Sequence, residues 1–153
     1  MDAGTRLSDN VIRVSAVVIR DPAGRVLTVR KRDTDTFMFP GGKPEPSETA
    51  ARAAIRECRE ELRIDIDESC LHELGVVRTP AANEPGFDVV ATVFVYAPPI
   101  DPAVYPVQPA AEIVELRWQA TDGAFPDDVA PLAVHVLSST DSGLTDGGAL
   151  FAG

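Results

Sequence analysis

The segment 48–62 constrains this chain more than any other stretch. Placed on a helix at about 100° per residue, Ala51, Ala54, Ile55, Cys58 and Leu62 gather on one apolar face, which needs a core to pack against. Glu57, Glu60 and Glu61 fall on a second arc roughly 100° wide, and Arg52, Arg56, Arg59 and Arg63 line the far flank. A helix with three chemically distinct sides is expected: core, acid and base. Like-charged neighbours at helical spacing repel by a few tenths of a kcal/mol per pair. Two arrangements tolerate that. Either the acidic side is a solvated surface, helped by the pairs Glu48–Arg52 and Arg56–Glu60, or a hard divalent cation removes the repulsion. Mg²⁺ takes oxygen ligands, typically carboxylates together with substrate phosphate. A backbone carbonyl from the Gly41-Gly42 turn would add another.

The rest of the chain alternates strand and turn signals. Residues 11–20 are β-branched and read as a strand. Asp21-Pro22-Ala23-Gly24 is a turn, with Pro fixing φ and Gly relieving the exit, so 26–31 is the second arm of a hairpin. A short extended piece at 36–39 leads into Pro40-Gly41-Gly42, a turn open to backbone paths that other residues resist. Ser47 suits the N-cap of a helix over 48–62. Residues 71–79 and 87–97 read as strands joined by the loop PAANEPG, with Phe87, Val89, Ala91, Val93 and Val95 on one face. A strand at 114–119 and a second helix at 126–137, with Asp127 and Asp128 at its N-terminus, complete the order. The expected class is α/β: a mixed sheet between helices on both faces. The expected boundaries are a flexible N-terminus at 1–10, one domain at 11–137 and a disordered tail at 138–153.

Charge narrows the function classes. The 24 acidic and 14 basic residues leave a net charge of −10, which argues against a nucleic-acid polymer or an anionic membrane as partner. No apolar run approaches the roughly 20 residues of a membrane span, and the first ten residues carry no secretory pattern. Cys58 and Cys70 form no CxxC or disulfide framework. Cys58 reads as a small buried hydrophobe, and a cytoplasmic setting is expected.

The spacing decides between the two readings of the acidic arc. Gly42, five residues, Glu48, seven residues, then Arg56-Glu57-Cys58-Arg59-Glu60-Glu61-Leu62-Arg63-Ile64 resembles the Nudix hydrolase signature. At average residue frequencies, a chance match in a chain of this length is on the order of 10⁻⁶. The departure is Arg63, where the family has a Gly that ends the helix in a left-handed conformation. Arg there costs about 1 kcal/mol or lets the helix run on. The hairpin, the Pro-Gly-Gly lead-in and the strand ending in Trp118 extend the likeness over 11–137, which implies a Nudix-like α/β/α sandwich.

The resemblance also implies the chemistry. Family members hydrolyse a nucleoside diphosphate linked to a further group X, through metal-assisted attack of water on phosphorus. It assigns Glu57, Glu60 and Glu61 to Mg²⁺, with Mn²⁺ as substitute, beside the Gly41 carbonyl. Arg56 orients a motif carboxylate, Glu48 or Glu57, and Glu48 supports. Glu61 or Glu60 is the first choice of general base. Glu112, six residues before Trp118, stands about where similar enzymes supply a further ligand or base, with Glu115 its rival. Among basic residues, Arg30, Arg32 and Lys43 are candidates for phosphate, Arg30 and Lys43 foremost. Phe37, Phe39 and Trp118 suit either a base pocket or the core, and Asn83 offers both donor and acceptor to a base edge. His72 and His135 have no partner pattern. A (d)NTP-type nucleotide is the first expected substrate, and ADP-ribose or an NDP-sugar the second. A nucleotide-binding module without turnover and an acidic scaffold are the competing classes. Relatives often dimerise, so a homodimer stays open.

Overall fold

The computed structural model describes residues 10–139. Seven strands and two helices follow in order: β1 Val11–Val18, β2 Val26–Lys31, β3 Phe37–Met38, β4 Gly41–Gly42, α1 Ala50–Leu62, β5 Leu71–Pro80, β6 Asp88–Tyr96, β7 Ile113–Gln119 and α2 Pro131–Ser139. A single 3-10 turn, Glu68–Cys70, precedes β5. Of the expected terminal segments 1–10 and 138–153, residues 1–9 and 140–153 lie outside the described residues, whereas 138 and 139 belong to α2.

The strands form two sheets. One has the order β4-β1-β6-β5 and the other β3-β2-β7. The first is the expected mixed sheet, because β1 runs parallel to β6 and antiparallel to β4. The anticipated hairpin is only partly formed. One bridge, Arg20 to Val26, joins its arms; beyond it both edges of β1 are taken by β4 and β6, so β2 pairs with β3 and β7 instead. The turn is held by Asp21, which is buried and whose Oδ1 accepts from the Ala23 and Arg25 amides at 3.0 and 2.8 Å.

Strand alternation builds two cores. Val17 of β1, Ile19 just after it, and Leu27 and Val29 of β2 pack with Ala54, Cys58 and Leu62 of α1. Ala16 and Val18, with Ala91, Val93 and Val95 of β6, pack with Ala133, Val136 and Leu137 of α2. Phe87, expected on that β6 face, lies before the strand and is exposed. Complete burial pushes the Cys58 thiol pKa up, as suits a core residue. Trp118 packs against the α1 core. Phe37 is buried under the Arg117 guanidinium, 3.8 Å from its ring centroid.

Both helix starts differ from expectation for identifiable reasons. Ser47 has φ 73, which is incompatible with the extended backbone of an N-cap. Thr49 takes that role, its side chain accepting from the Arg52 amide at 3.1 Å, and α1 starts at Ala50. The second helix begins at Pro131, where the missing N–H is no loss. Asp127 and Asp128 therefore precede it, and Asp128 makes a two-pronged bond to Arg117 at 2.8 and 2.9 Å. At the far end of α1, Arg63 adopts φ 59, ψ 34. The left-handed stop is kept without the glycine: the Arg63 amide donates to the Arg59 carbonyl at 3.0 Å and buried Ile64 follows.

Candidate active site

The glycine pair is a strand, not the expected turn. Gly42 lies opposite Ser15 and Gly41 opposite Ala16. A Cβ at Gly41 would strike the Ser15 carbonyl, and one at Gly42 would strike the Glu57 carboxylate. Two glycines thus allow β4 to wedge between β1 and α1. The Gly41 amide then donates to Glu61 Oε1 at 3.2 Å.

That wedge separates the three motif carboxylates into different environments. Glu61 is 1% exposed, although helical spacing puts it on one arc with Glu57 and Glu60. Its Oε2 is buried with no hydrogen-bond partner. Burial, partly offset by the Gly41 amide, pushes its pKa from 4.5 up to about 8. Glu57 is half-buried on the cleft wall, and burial raises its pKa too. Glu60 faces solvent.

Arg56 holds the arrangement together. It donates to Glu48 at 2.8 and 3.0 Å, to Glu57 at 3.2 Å, to Glu60 at 3.3 Å and to the Lys43 carbonyl at 3.1 Å. The hydrogen bond from Arg56 holds Glu48 down at about 2, and Glu48 in turn raises the pKa of Arg56.

A cleft of about 540 Å³ is bordered by Arg56 and Glu57, whereas Glu61 lies beneath its lining and Glu60 borders a separate hollow with Arg59 and Arg63. Gly41, Gly42, Lys43 and Glu112 also border the cleft. Its apolar part is formed by Ile12, Val14, Phe39, Val89 and Leu132, with Asn83 and Glu84 on the β5–β6 loop. Of the expected substrate contacts, Lys43, Asn83 and Phe39 therefore lie on the cleft. Arg30 does not: the β2–β7 register sets it against Glu115, 2.8 Å away, and it also donates to the Thr34 carbonyl. The same register takes Glu115 away from the cleft and leaves Glu112 on it. Lys31, unassigned from sequence, borders the cleft with Nζ 3.4 Å from Glu112. The alternation Leu27, Val29, Lys31 carried that signal, since the first two face α1.

Among the described residues, no three acidic, His or Cys side chains stand gathered as a ready cation cage. The carboxylates have partners within the chain: Arg56 for Glu57 and Glu60, Lys31 for Glu112 and the Gly41 amide for Glu61. The donor chemistry nevertheless suits a hard divalent ion. All the groups are oxygen donors, and the orphaned Glu61 Oε2 lacks the positive partner that a buried carboxylate needs.

The NUDIX domain profile matches residues 9–138. A MutT-like protein of Streptomyces ambofaciens is 39% identical over 59 residues, a match spanning 37% of this chain and 38% of that relative. The fold is similar to a MutT NUDIX hydrolase from Burkholderia pseudomallei, with TM-score 0.66, 24% identity, and coverage of 84% of this chain and 96% of that one. It is also similar to the Escherichia coli dihydroneopterin triphosphate pyrophosphohydrolase, with TM-score 0.59, 26% identity, and coverage of 71% and 80%.

Proposed function

Because this chain belongs to the Nudix hydrolase family, we propose that it is an Mg²⁺-dependent pyrophosphohydrolase acting on a nucleotide, with a (d)NTP ranked first. The observation that carries this reading is the buried Glu61 carboxylate with an unpartnered oxygen, bonded to the amide of Gly41, which with Glu57 borders a cleft with an apolar wall. Glu57, Glu60, Glu61, Glu112 and the Gly41 carbonyl would hold the ion, with Mn²⁺ a substitute. Bound there, it would cancel phosphate charge and make water more acidic.

The chain's own residues do the rest. Arg56 fixes Glu57 and Glu60 by hydrogen bonds and is itself fixed by Glu48. The Gly41 amide orients Glu61. Glu61 is the first choice to accept a proton from the attacking water: burial raises its proton affinity, and a bound ion would favour the ionised form that can accept the proton. Glu60 is the second. Lys43 makes no ion pair among the described residues, so its ammonium is available to phosphate. Phe39, Val89 and Leu132 offer an apolar wall to a base, and the Asn83 amide offers donors and an acceptor to its edge.

Water forms a new bond to phosphorus as the bridging P–O bond breaks. A triphosphate gives a nucleoside monophosphate and pyrophosphate; an NDP-sugar gives two monophosphates. A screen of nucleotides and NDP derivatives with Mg²⁺ and Mn²⁺, resolving both products, tests the reading. Metal-dependent turnover that Glu61→Gln abolishes supports it. Metal-dependent binding without turnover would indicate a sensing module, and two monophosphates would move the assignment to the NDP-sugar class.

A further inference from the structure

We infer that Lys31 is a resident counter-cation: it holds, in the ion-free protein, the charge position that the divalent ion takes over, and its displaced ammonium then meets the substrate's phosphate. The inference rests on the metal and substrate reading given above.

Geometry converges on Lys31. Along β2 it keeps the face of Leu27 and Val29, and the opposing register skips Val114 on β7, so that Lys31 stands against Ile113. It borders the cleft together with Glu57 and Glu112 and places Nζ 3.4 Å from Glu112 Oε2.

Backbone bonds make that meeting point a built feature. The Arg32 amide donates to the Glu112 carbonyl at 2.8 Å, and the Ala110 amide donates to the Glu61 carbonyl at 2.9 Å. These bonds join the end of β2, the turn before β7 and the last turn of α1. Ala111 between them sits at φ 56, a left-handed conformation that a residue with a Cβ rarely adopts.

The partnership is also easy to break. Arg56 is tied down by a fork to Glu48 and three further acceptors, whereas Lys31 has one long ion pair between partly exposed groups. Such a pair contributes little stability. A lysine is a point charge on a flexible four-carbon stem, so it can leave Glu112 without backbone movement. A divalent ion among the same carboxylates would repel it toward the open cleft, where a polyanion's phosphate is the nearest compensating charge.

The test is Mn²⁺ titration calorimetry without substrate. Lys31→Met should tighten Mn²⁺ binding by roughly three- to tenfold, because a competing cation is removed. It should also raise KM for the nucleotide substrate. Lys31→Arg should return Mn²⁺ affinity toward that of the parent. Arg13→Gln removes the same charge from an exposed position on β1 and should leave Mn²⁺ affinity unchanged. Unchanged or weaker Mn²⁺ binding in Lys31→Met overturns the inference while leaving the hydrolase reading intact. Equal tightening in Arg13→Gln also overturns it, by showing a net-charge effect. A parent protein that binds neither Mn²⁺ nor Mg²⁺ removes both readings together.

Discussion

Glu61 should make the metal-free protein less stable as pH rises through neutrality. Its carboxyl is 1% exposed, with one hydrogen bond at 3.2 Å and one oxygen unpartnered. Burial moves its pKa from 4.5 to about 8. Between those values the folded protein keeps a proton that the unfolded chain has released, so stability falls with rising pH and levels off above about 8. The whole shift corresponds to roughly 5 kcal/mol, a ceiling that relaxation and water penetration lower. We expect a loss of about 2–5 kcal/mol between about pH 5 and about pH 8, or roughly 5–15 °C in Tm. Glu61→Gln keeps an acceptor for the Gly41 amide and removes the ionisation. Its Tm should therefore decline less over that range, and near pH 8 it should melt above the parent. Circular-dichroism melts in chelator at four pH values measure the difference between the two profiles. Adding Mg²⁺ near pH 8 should restore the parent far more than the variant. Parallel profiles for the two proteins would refute the link between this carboxyl and stability.

Two further substitutions probe the frame around it. Arg63→Gly should raise stability by about 0.5–1 kcal/mol, because it relieves a left-handed residue that carries a Cβ; calorimetry measures this, and a lower Tm would show that the arginine side chain contributes more than its backbone costs. Gly42→Ala drives a methyl into the Glu57 carboxylate, so Mn²⁺ affinity should fall about 10–100-fold while the circular-dichroism spectrum stays native. Parental affinity there would show that the Glu57 position is not needed for the ion.

Much of the fold was legible because its signals are local. Strand alternation put Val89, Ala91, Val93 and Val95 on one buried face, and the α1 apolar stripe met the core as its period requires. What was not legible depended on long-range pairing. Whether β2 stays beside β1 turns on which strands already occupy the β1 edges, and no property of residues 11–31 says so. The same holds for Arg30 and Lys31. Sequence alone makes Arg30 a candidate for phosphate and leaves Lys31 unassigned, whereas alternation along β2 and its pairing with β7 send Arg30 to Glu115 and Lys31 to the cleft. The N-cap error had a similar source: Ser47 and Thr49 are chemically equivalent candidates, and the turn at Glu45–Glu48 decides which of them is extended.

The acidic composition gains a physical meaning from this arrangement. Helical periodicity alone gives Glu57, Glu60 and Glu61 one shared arc, but insertion of β4 makes their environments unequal: wall, solvent and interior. Equal exposure would let water screen all three, and no ion would be required. Unequal burial concentrates the cost on Glu61, where water is excluded and, among the described residues, the Gly41 amide is the one hydrogen-bond donor to the carboxylate. Arg56 cannot relieve it, because its donors are already committed to Glu48, Glu57, Glu60 and the Lys43 carbonyl. A chain carrying a net charge of −10 repels a polyanionic substrate at long range. The two unfavourable terms share one remedy, since a divalent ion beside Glu61 offsets the buried carboxylate and presents positive charge to phosphate.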